Sequence, residues 1–163
     1  MDYKVTDNFL LKEDHRALSD LMLTGSRFPW FYNASVARDD DRESHFQFTH
    51  MFYNNYSPQS DWFKYLEPLT MAINPTALIR IKANLGGRHH EIQEQGYHTD
   101  FTFECRTAVY YLNTNDGYTI FEDGTKVESV ANRLVEFNSL LKHSGTSHTD
   151  TKVRSVINLN YYR

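Results

Sequence analysis

TAVYYLNTNDGYTIFEDGTKVESVANRLVEFN, residues 107–138, decides the kind of fold. Its runs TAVYYLN, YTIFED and NRLVEFN are β-branched or aromatic, the residue types that fit a pleated, half-buried surface. Between them stand Asn115-Asp116-Gly117 and Glu122-Asp123-Gly124, both strong turn signals. Two further runs share this character: TALIRIKANL (76–85) before the stretch and VRSVINLNY (153–161) after it. Five short strands at close spacing predict a mainly β architecture, a sandwich or barrel, with supporting helices over one sheet face.

The chain ahead of these strands reads differently. Residues 12–23 place Leu18, Leu21 and Met22, with Leu11 just before, near one helical face, and Gly25 is a plausible stop. The aromatic runs of 26–55 suggest strands or extended loops, with Asp39 to Asp41 as a solvated acidic turn. Ser60 is placed to cap a second helix carrying Trp62, Phe63, Leu66 and Leu69, which Pro68 should kink. The expected organisation is one domain over 1–163, with 1–75 as helical and extended support and 76–163 as the β core. Residues 86–96, polar and bounded by glycines, read as a loop over the mouth of the barrel and a candidate lid.

A chain of 163 residues buries roughly 70% of its unfolded surface. Seventeen Lys and Arg against 21 Asp and Glu give a formal charge of −4, which argues against a general nucleic-acid binder. The single cysteine, Cys105, permits no internal disulfide, suits a reducing compartment and reads as a buried small residue. The charged opening MDYKVTDNFL lacks the apolar core of a signal, and no membrane span is evident, so a cytoplasmic location is expected.

The chemistry concentrates in GYHTDF (96–101). Side chains two apart on a strand project to one face, so His98 and Asp100 reach a common point from a strand end. LLKHSG supplies His143 at the end of another short apolar run. Two imidazoles and one carboxylate on one face are the arrangement associated with non-haem iron(II). They leave positions open for a bidentate 2-oxo acid and O₂, where a closed four-ligand set would be structural. His148, in the turn-rich stretch SGTSHTD, is the rival third ligand, and the apolar run before His143 favours His143. The other histidines have bland readings: His89 and His90 as solvated loop residues, His15, His45 and His50 as surface or half-buried. Arg154 offers a planar fork for a distal carboxylate, a role lysine fills less well. Alternation along 153–161 puts Arg154, Val156, Asn158 and Asn160 on one face and Val153, Ser155, Ile157, Leu159 and Tyr161 on the other. A polar row inside a small barrel is costly unless it serves a ligand, so Asn158 and Asn160 are substrate-pocket candidates.

The order His98-x-Asp100, TAVYYLN, GYTIFEDGTKVESVANRLVEFN, His143, Arg154 resembles the 2-oxoglutarate/Fe(II) oxygenase superfamily. It is most similar to the prolyl-4-hydroxylase-like branch, including small versions carried by tailed phages. The likeness covers 76–163 well; DNFL, FPWFY and FTHMFYNN are looser matches. It implies a double-stranded β-helix, or jelly roll, with His98, Asp100 and His143 binding iron and Arg154 binding 2-oxoglutarate. It further implies that Tyr111 helps hold the distal carboxylate and that Asn84 is a polar pocket residue. One departure is that His143 and Arg154 stand one residue further apart than is common there, with Lys152-Val153 ahead of the arginine where a glycine is frequent. The implied activity is hydroxylation of a peptide, protein or small molecule, prolyl residues foremost, with ascorbate as an accessory reductant. A phage-encoded version would work in the host cytoplasm. The competing readings are a cupin-like metal isomerase or hydrolase and a non-catalytic jelly-roll binding module.

Overall fold

The computed structural model describes residues 3–36 and 46–163. The acidic turn expected at Asp39 to Asp41, and His45, lie outside them. Two antiparallel sheets form the framework. The larger runs in the order β1-β9-β6-β11-β5-β3-β2, with β4 also pairing β3. These strands are β1 (Tyr3–Thr6), β2 (Phe31–Asn33), β3 (Gln47–Asn54), β4 (Ser57–Pro58), β5 (Ala77–Gly87), β6 (Arg106–Tyr111), β9 (Leu134–Asn138) and β11 (Val153–Tyr162). The smaller sheet is β10-β7-β8, made of β7 (Tyr118–Phe121), β8 (Lys126–Glu128) and β10 (His143–Gly145). Its free edge at β10 is continued by isolated bridges from Glu94 to Thr146 and from His98 to His143. The arrangement is a jelly roll, with all five strands expected from the sequence in place.

Period-two alternation divides the apolar residues between two cores. On β6, Ala108 and Tyr110 join Ile157, Leu159 and Tyr161 of β11 on the outer face of the large sheet, packed against Leu18, Met22, Leu66 and Leu69. The opposite face carries Val109, Tyr111, Val135, Phe137 and Val156, which meet Phe121 and Val127 of the small sheet. The outer face is thus covered by the helices, as the alternation in 153–161 implies.

The helices depart from expectation in their detail. Helix α1 covers Lys12–Ser19, and the chain then widens into a π-helical turn at Asp20–Thr24. Trp30 Nε1 donates to the Met22 carbonyl, 3.1 Å, and Gly25 N donates to the Asp20 carbonyl, 3.1 Å, so carbonyls freed by the widening keep partners. The second segment is two helices rather than one kinked one. A 3-10 helix, Asp61–Leu66, is capped by Ser60, whose Oγ accepts from Trp62 N at 3.1 Å. Helix α2, Glu67–Ile73, starts there with Pro68 in its first turn, where a missing N–H costs nothing. GYHTDF is not a strand: His98 makes a single bridge, and Asp100 N donates to the Ser139 carbonyl at 3.3 Å. β5 runs on to Gly87, so the loop begins later than Gly86. No helix among the described residues is long and apolar enough to cross a membrane.

His50 is fully buried on β3, not at the surface or half-buried. Its Nδ1 donates to the Pro29 carbonyl, 2.7 Å, and its Nε2 accepts from Ser60 Oγ, 2.9 Å. This tautomer needs no second proton. Burial pushes the His50 pKa down, partly offset by the Pro29 contact. The unfolded chain therefore takes up the proton first on acidification, and the stability from neutral His50 is lost as pH falls below about 6.5. Denaturant midpoints should fall between pH 7.5 and 5.5. His50→Asn should lower stability at pH 7.5 and flatten that slope; an unchanged slope would contradict the assignment.

Candidate metal centre

Three of the sequence's candidates come together. Ligand atoms of His98, Asp100 and His143 all lie within 4.8 Å of one another. The two Nε2 atoms each stand 4.0 Å from Asp100 Oδ1. Reciprocal backbone bonds between His98 and His143, 2.9 and 3.0 Å, fix their separation. Each imidazole is oriented from behind: His143 Nδ1 donates to the Leu141 carbonyl at 3.0 Å, and His98 Nδ1 to Gly96 at 3.2 Å. Both Nε2 lone pairs thereby face the common point, the second contact that ligating histidines characteristically make.

Asp100 is held through its other oxygen. Oδ2 accepts from Asn160 Nδ2 at 2.8 Å and Thr107 Oγ1 at 2.9 Å, leaving Oδ1 toward the histidines. Burial is the largest influence on this carboxyl and pushes its pKa up. His143, Arg80 and the bonds from Asn160 and Thr107 together outweigh it and hold the pKa below the usual range. For His143 burial dominates and lowers the pKa, against the pull of Asp100. An ionised carboxylate and a neutral imidazole are the forms a metal requires. The donor set, one oxygen and two nitrogens with open space beyond, fits a divalent transition ion.

The site opens into a cavity of about 700 Å³ between the sheets, lined among others by Arg154, Asn84, Asn158, Lys82 and His148. Arg154 Nε donates to Ser129 Oγ at 3.0 Å and Nη2 to the Tyr118 carbonyl at 3.4 Å. Among the described residues no carboxylate lies within ion-pair distance of it. Gly117 packs against its stem: a Cβ there would stand 2.8 Å from Arg154 Cδ. Tyr111 is fully buried, outside the cavity wall. Its ring lies 5.9 Å from the guanidinium carbon, and its hydroxyl donates to Thr119 at 2.7 Å. Asn84 and Asn158 face the cavity with Oδ1 atoms that are buried and unpartnered. Asn160 differs from its substrate-pocket expectation. It is fully buried behind Asp100, its amide nitrogen spent on Asp100 and Thr107, and its Oδ1 accepts from Arg80 Nε at 3.1 Å.

His148 is not in a flexible turn. It is fully buried, its Nε2 donates to the Thr151 carbonyl at 3.1 Å, and Thr149 N is bound by Asp116 at 2.7 Å. It stands apart from the three-residue cluster. Two cavity cations escaped the sequence reading, Arg80 and Lys82 on β5. Their signal was the alternation in TALIRIKANL, which sets Arg80, Lys82 and Asn84 on the face opposite Ile79, Ile81 and Ala83.

No family model matches the sequence. No curated protein matches it either. Solved structures do. A Pseudomonas putida prolyl-4-hydroxylase is 18% identical with a TM-score of 0.66, over 99% of this chain and 92% of that one. A Trichoplax adhaerens prolyl hydroxylase, in complex with a hypoxia inducible factor oxygen degradation domain peptide fragment, is 16% identical with a TM-score of 0.68, over 98% and 83%. A Burkholderia pseudomallei oxidoreductase of the 2OG-Fe(II) oxygenase family is 10% identical with a TM-score of 0.70, over 98% and 84%. At these identities the likeness is one of fold, and this chain has the fold of the 2-oxoglutarate/Fe(II) oxygenases of the prolyl-hydroxylase type.

Proposed function

We propose that this protein is an Fe(II)- and 2-oxoglutarate-dependent hydroxylase. One observation carries the reading: a His-Asp-His cluster and an arginine without a carboxylate partner among the described residues share one cavity. When bound, iron(II) supplies the activation of O₂ that couples decarboxylation of 2-oxoglutarate, to succinate and CO₂, with hydroxylation of a substrate C–H bond. The protein's residues bind and orient. His98, Asp100 and His143 are the proposed ligands. Arg154 is the proposed clamp for the distal carboxylate, its fork oriented by Ser129 and the Tyr118 carbonyl. Tyr111 acts on that carboxylate indirectly, as a flat support under the guanidinium. Asn84 and Asn158 offer free amide groups to bound molecules. The prolyl-hydroxylase neighbours favour a prolyl residue of a peptide or protein as substrate. Ascorbate is the proposed accessory reductant for keeping the iron in its iron(II) state.

Two experiments test this. His143→Ala should lose iron and 2-oxoglutarate turnover together, as should His98→Ala or Asp100→Ala. His148→Ala should keep its metal and turn over within a few-fold, once its folded fraction is matched by circular dichroism. A metal-free His148→Ala beside a metal-bound His143→Ala would move the third ligand. Arg154→Lys keeps the charge and loses the fork. It should weaken 2-oxoglutarate binding by roughly ten- to a hundred-fold, the worth of one charge-assisted bond, with iron affinity little altered. Equal affinity in wild type and variant would show that the co-substrate is held elsewhere.

A further inference from the structure

The described wall of the cavity carries three fixed cations, Arg80, Lys82 and Arg154, and a single acid, Asp100, in a chain whose overall charge is negative. Two cations have tasks. Arg80 stands 3.4 Å from Asp100, donates to Asn160 and lies 5.0 Å over the Phe101 ring. Arg154 is the clamp proposed for 2-oxoglutarate. Lys82 has no hydrogen bond or ion pair among the described residues. It is half-buried, and burial leads the influences that push its ammonium's pKa down, with Arg80 adding to it and Asp100 opposing. Holding a half-buried cation that has no direct partner among the described residues is unfavourable unless something anionic meets it.

Its surroundings are polar as well. In the strand register Lys82 faces Asn158 of β11 on one side and Met51 of β3 on the other. Asn158, and Asn84 two residues along β5 from Lys82, have unpartnered amide oxygens. The contacts of Arg154 lie toward β6, β7 and β8, through Tyr111, Tyr118 and Ser129. Lys82 lies across β11, on the strand that pairs with β3. The two cations therefore serve opposite sides of β11.

We propose that Lys82, with the amides of Asn158 and Asn84, is a second anion-recognition site, and that the primary substrate presents a carboxylate to it beside the C–H bond to be hydroxylated. This deepens the oxygenase reading and rests on it for the identity of the reaction. The carboxylate is either a chain terminus or free amino acid, or an acidic side chain next to the reacting residue. An ammonium paired with amide groups suits a carboxylate. The amides add donors to its oxygens and accept from neighbouring N–H groups.

The test uses the whole protein loaded with zinc(II), which is redox-inert, and 2-oxoglutarate, so that Arg154 is occupied. Probes come in pairs that differ only in charge: acetate and acetamide, N-acetyl-proline and N-acetyl-prolinamide, N-acetyl-prolyl-glutamate amide and N-acetyl-prolyl-glutamine amide. Binding is read by calorimetric titration and thermal shift. The carboxylate of at least one pair should bind roughly ten-fold or more tighter than its amide, the worth of one charge-assisted bond. The second or third pair being the discriminating one separates terminus from side chain. Lys82→Met, which keeps the apolar stem, should remove the preference, and Lys82→Arg should retain part of it. Arg154→Met is the converse variant, losing 2-oxoglutarate and, loaded with zinc alone, keeping the preference. No preference in the wild type for any pair overturns the proposal. So does a Lys82→Met variant that loses 2-oxoglutarate as severely as Arg154→Met, since Lys82 would then belong to the co-substrate. A protein that takes up neither metal nor 2-oxoglutarate yet shows the Lys82-dependent preference upholds this site while the oxygenase reading falls.

Discussion

Much of the site depends on the two hydrogen bonds that Asp100 Oδ2 accepts from Asn160 and Thr107. Asp100 lies on an irregular segment with little ladder of its own, whereas its two donors belong to β11 and β6, adjacent strands of the large sheet. A hydrogen bond to a charged group is worth about 1.5–3 kcal/mol. Two of them bring the loop's precision close to that of the sheet. They also settle which carboxylate oxygen faces the histidines, with Arg80 Nη2 standing 3.4 Å from that same Oδ1. With Oδ2 occupied, Oδ1 is left for the point where His98 and His143 converge. The same bonds help offset the desolvation that would otherwise favour the protonated carboxyl.

The jelly roll explains how so small a chain keeps a polar interior. One face of the large sheet is given to apolar packing under the helices, which carries most of the fold's burial. The inner face is then apolar toward β8 and β9, where Val127, Val135 and Phe137 close the gap between sheets, and polar along β5 and β11. Arg80, Lys82, Asn84, Arg154 and Asn158 are costly to seclude, and the cavity keeps them accessible to ligands. That division puts fixed charges and amides on the rigid, hydrogen-bonded part of the molecule, the placement that holds a binding constellation to tight tolerances.

How much of this the sequence disclosed varies with the range of the interaction. The strands of 76–163 were legible because alternation and turn residues are local signals, and TAVYYLN and VRSVINLNY follow their pattern to the residue. The grouping of His98, Asp100 and His143 was legible from residue chemistry and order. The burial of Asn160 was only half legible. Alternation put it inside, but whether it faces a ligand or supports Asp100 depends on a pairing between distant segments. Arg80 and Lys82 were overlooked because an alternating cationic row reads equally as the solvent face of an edge strand; only the pairing of β5 between β3 and β11 turns it inward. His50 and His148 were misjudged for a related reason. Their partners are backbone carbonyls and a hydroxyl, which no residue-type pattern announces. The π-helical turn after Ser19 and the helix break before Pro68 likewise arise from contacts and local geometry, beyond what the apolar period reveals.

The central claim is that the three ligands and Arg154 serve one bound 2-oxo acid. An anaerobic titration measures this most directly: iron(II) is added to metal-free protein, then 2-oxoglutarate, while the visible spectrum is recorded. A weak charge-transfer band should grow to saturation at one equivalent of each, and should be absent when succinate replaces 2-oxoglutarate, because succinate lacks the keto oxygen needed to chelate. Iron binding with no band, or a band unaffected by Arg154→Met at low 2-oxoglutarate, would contradict the account.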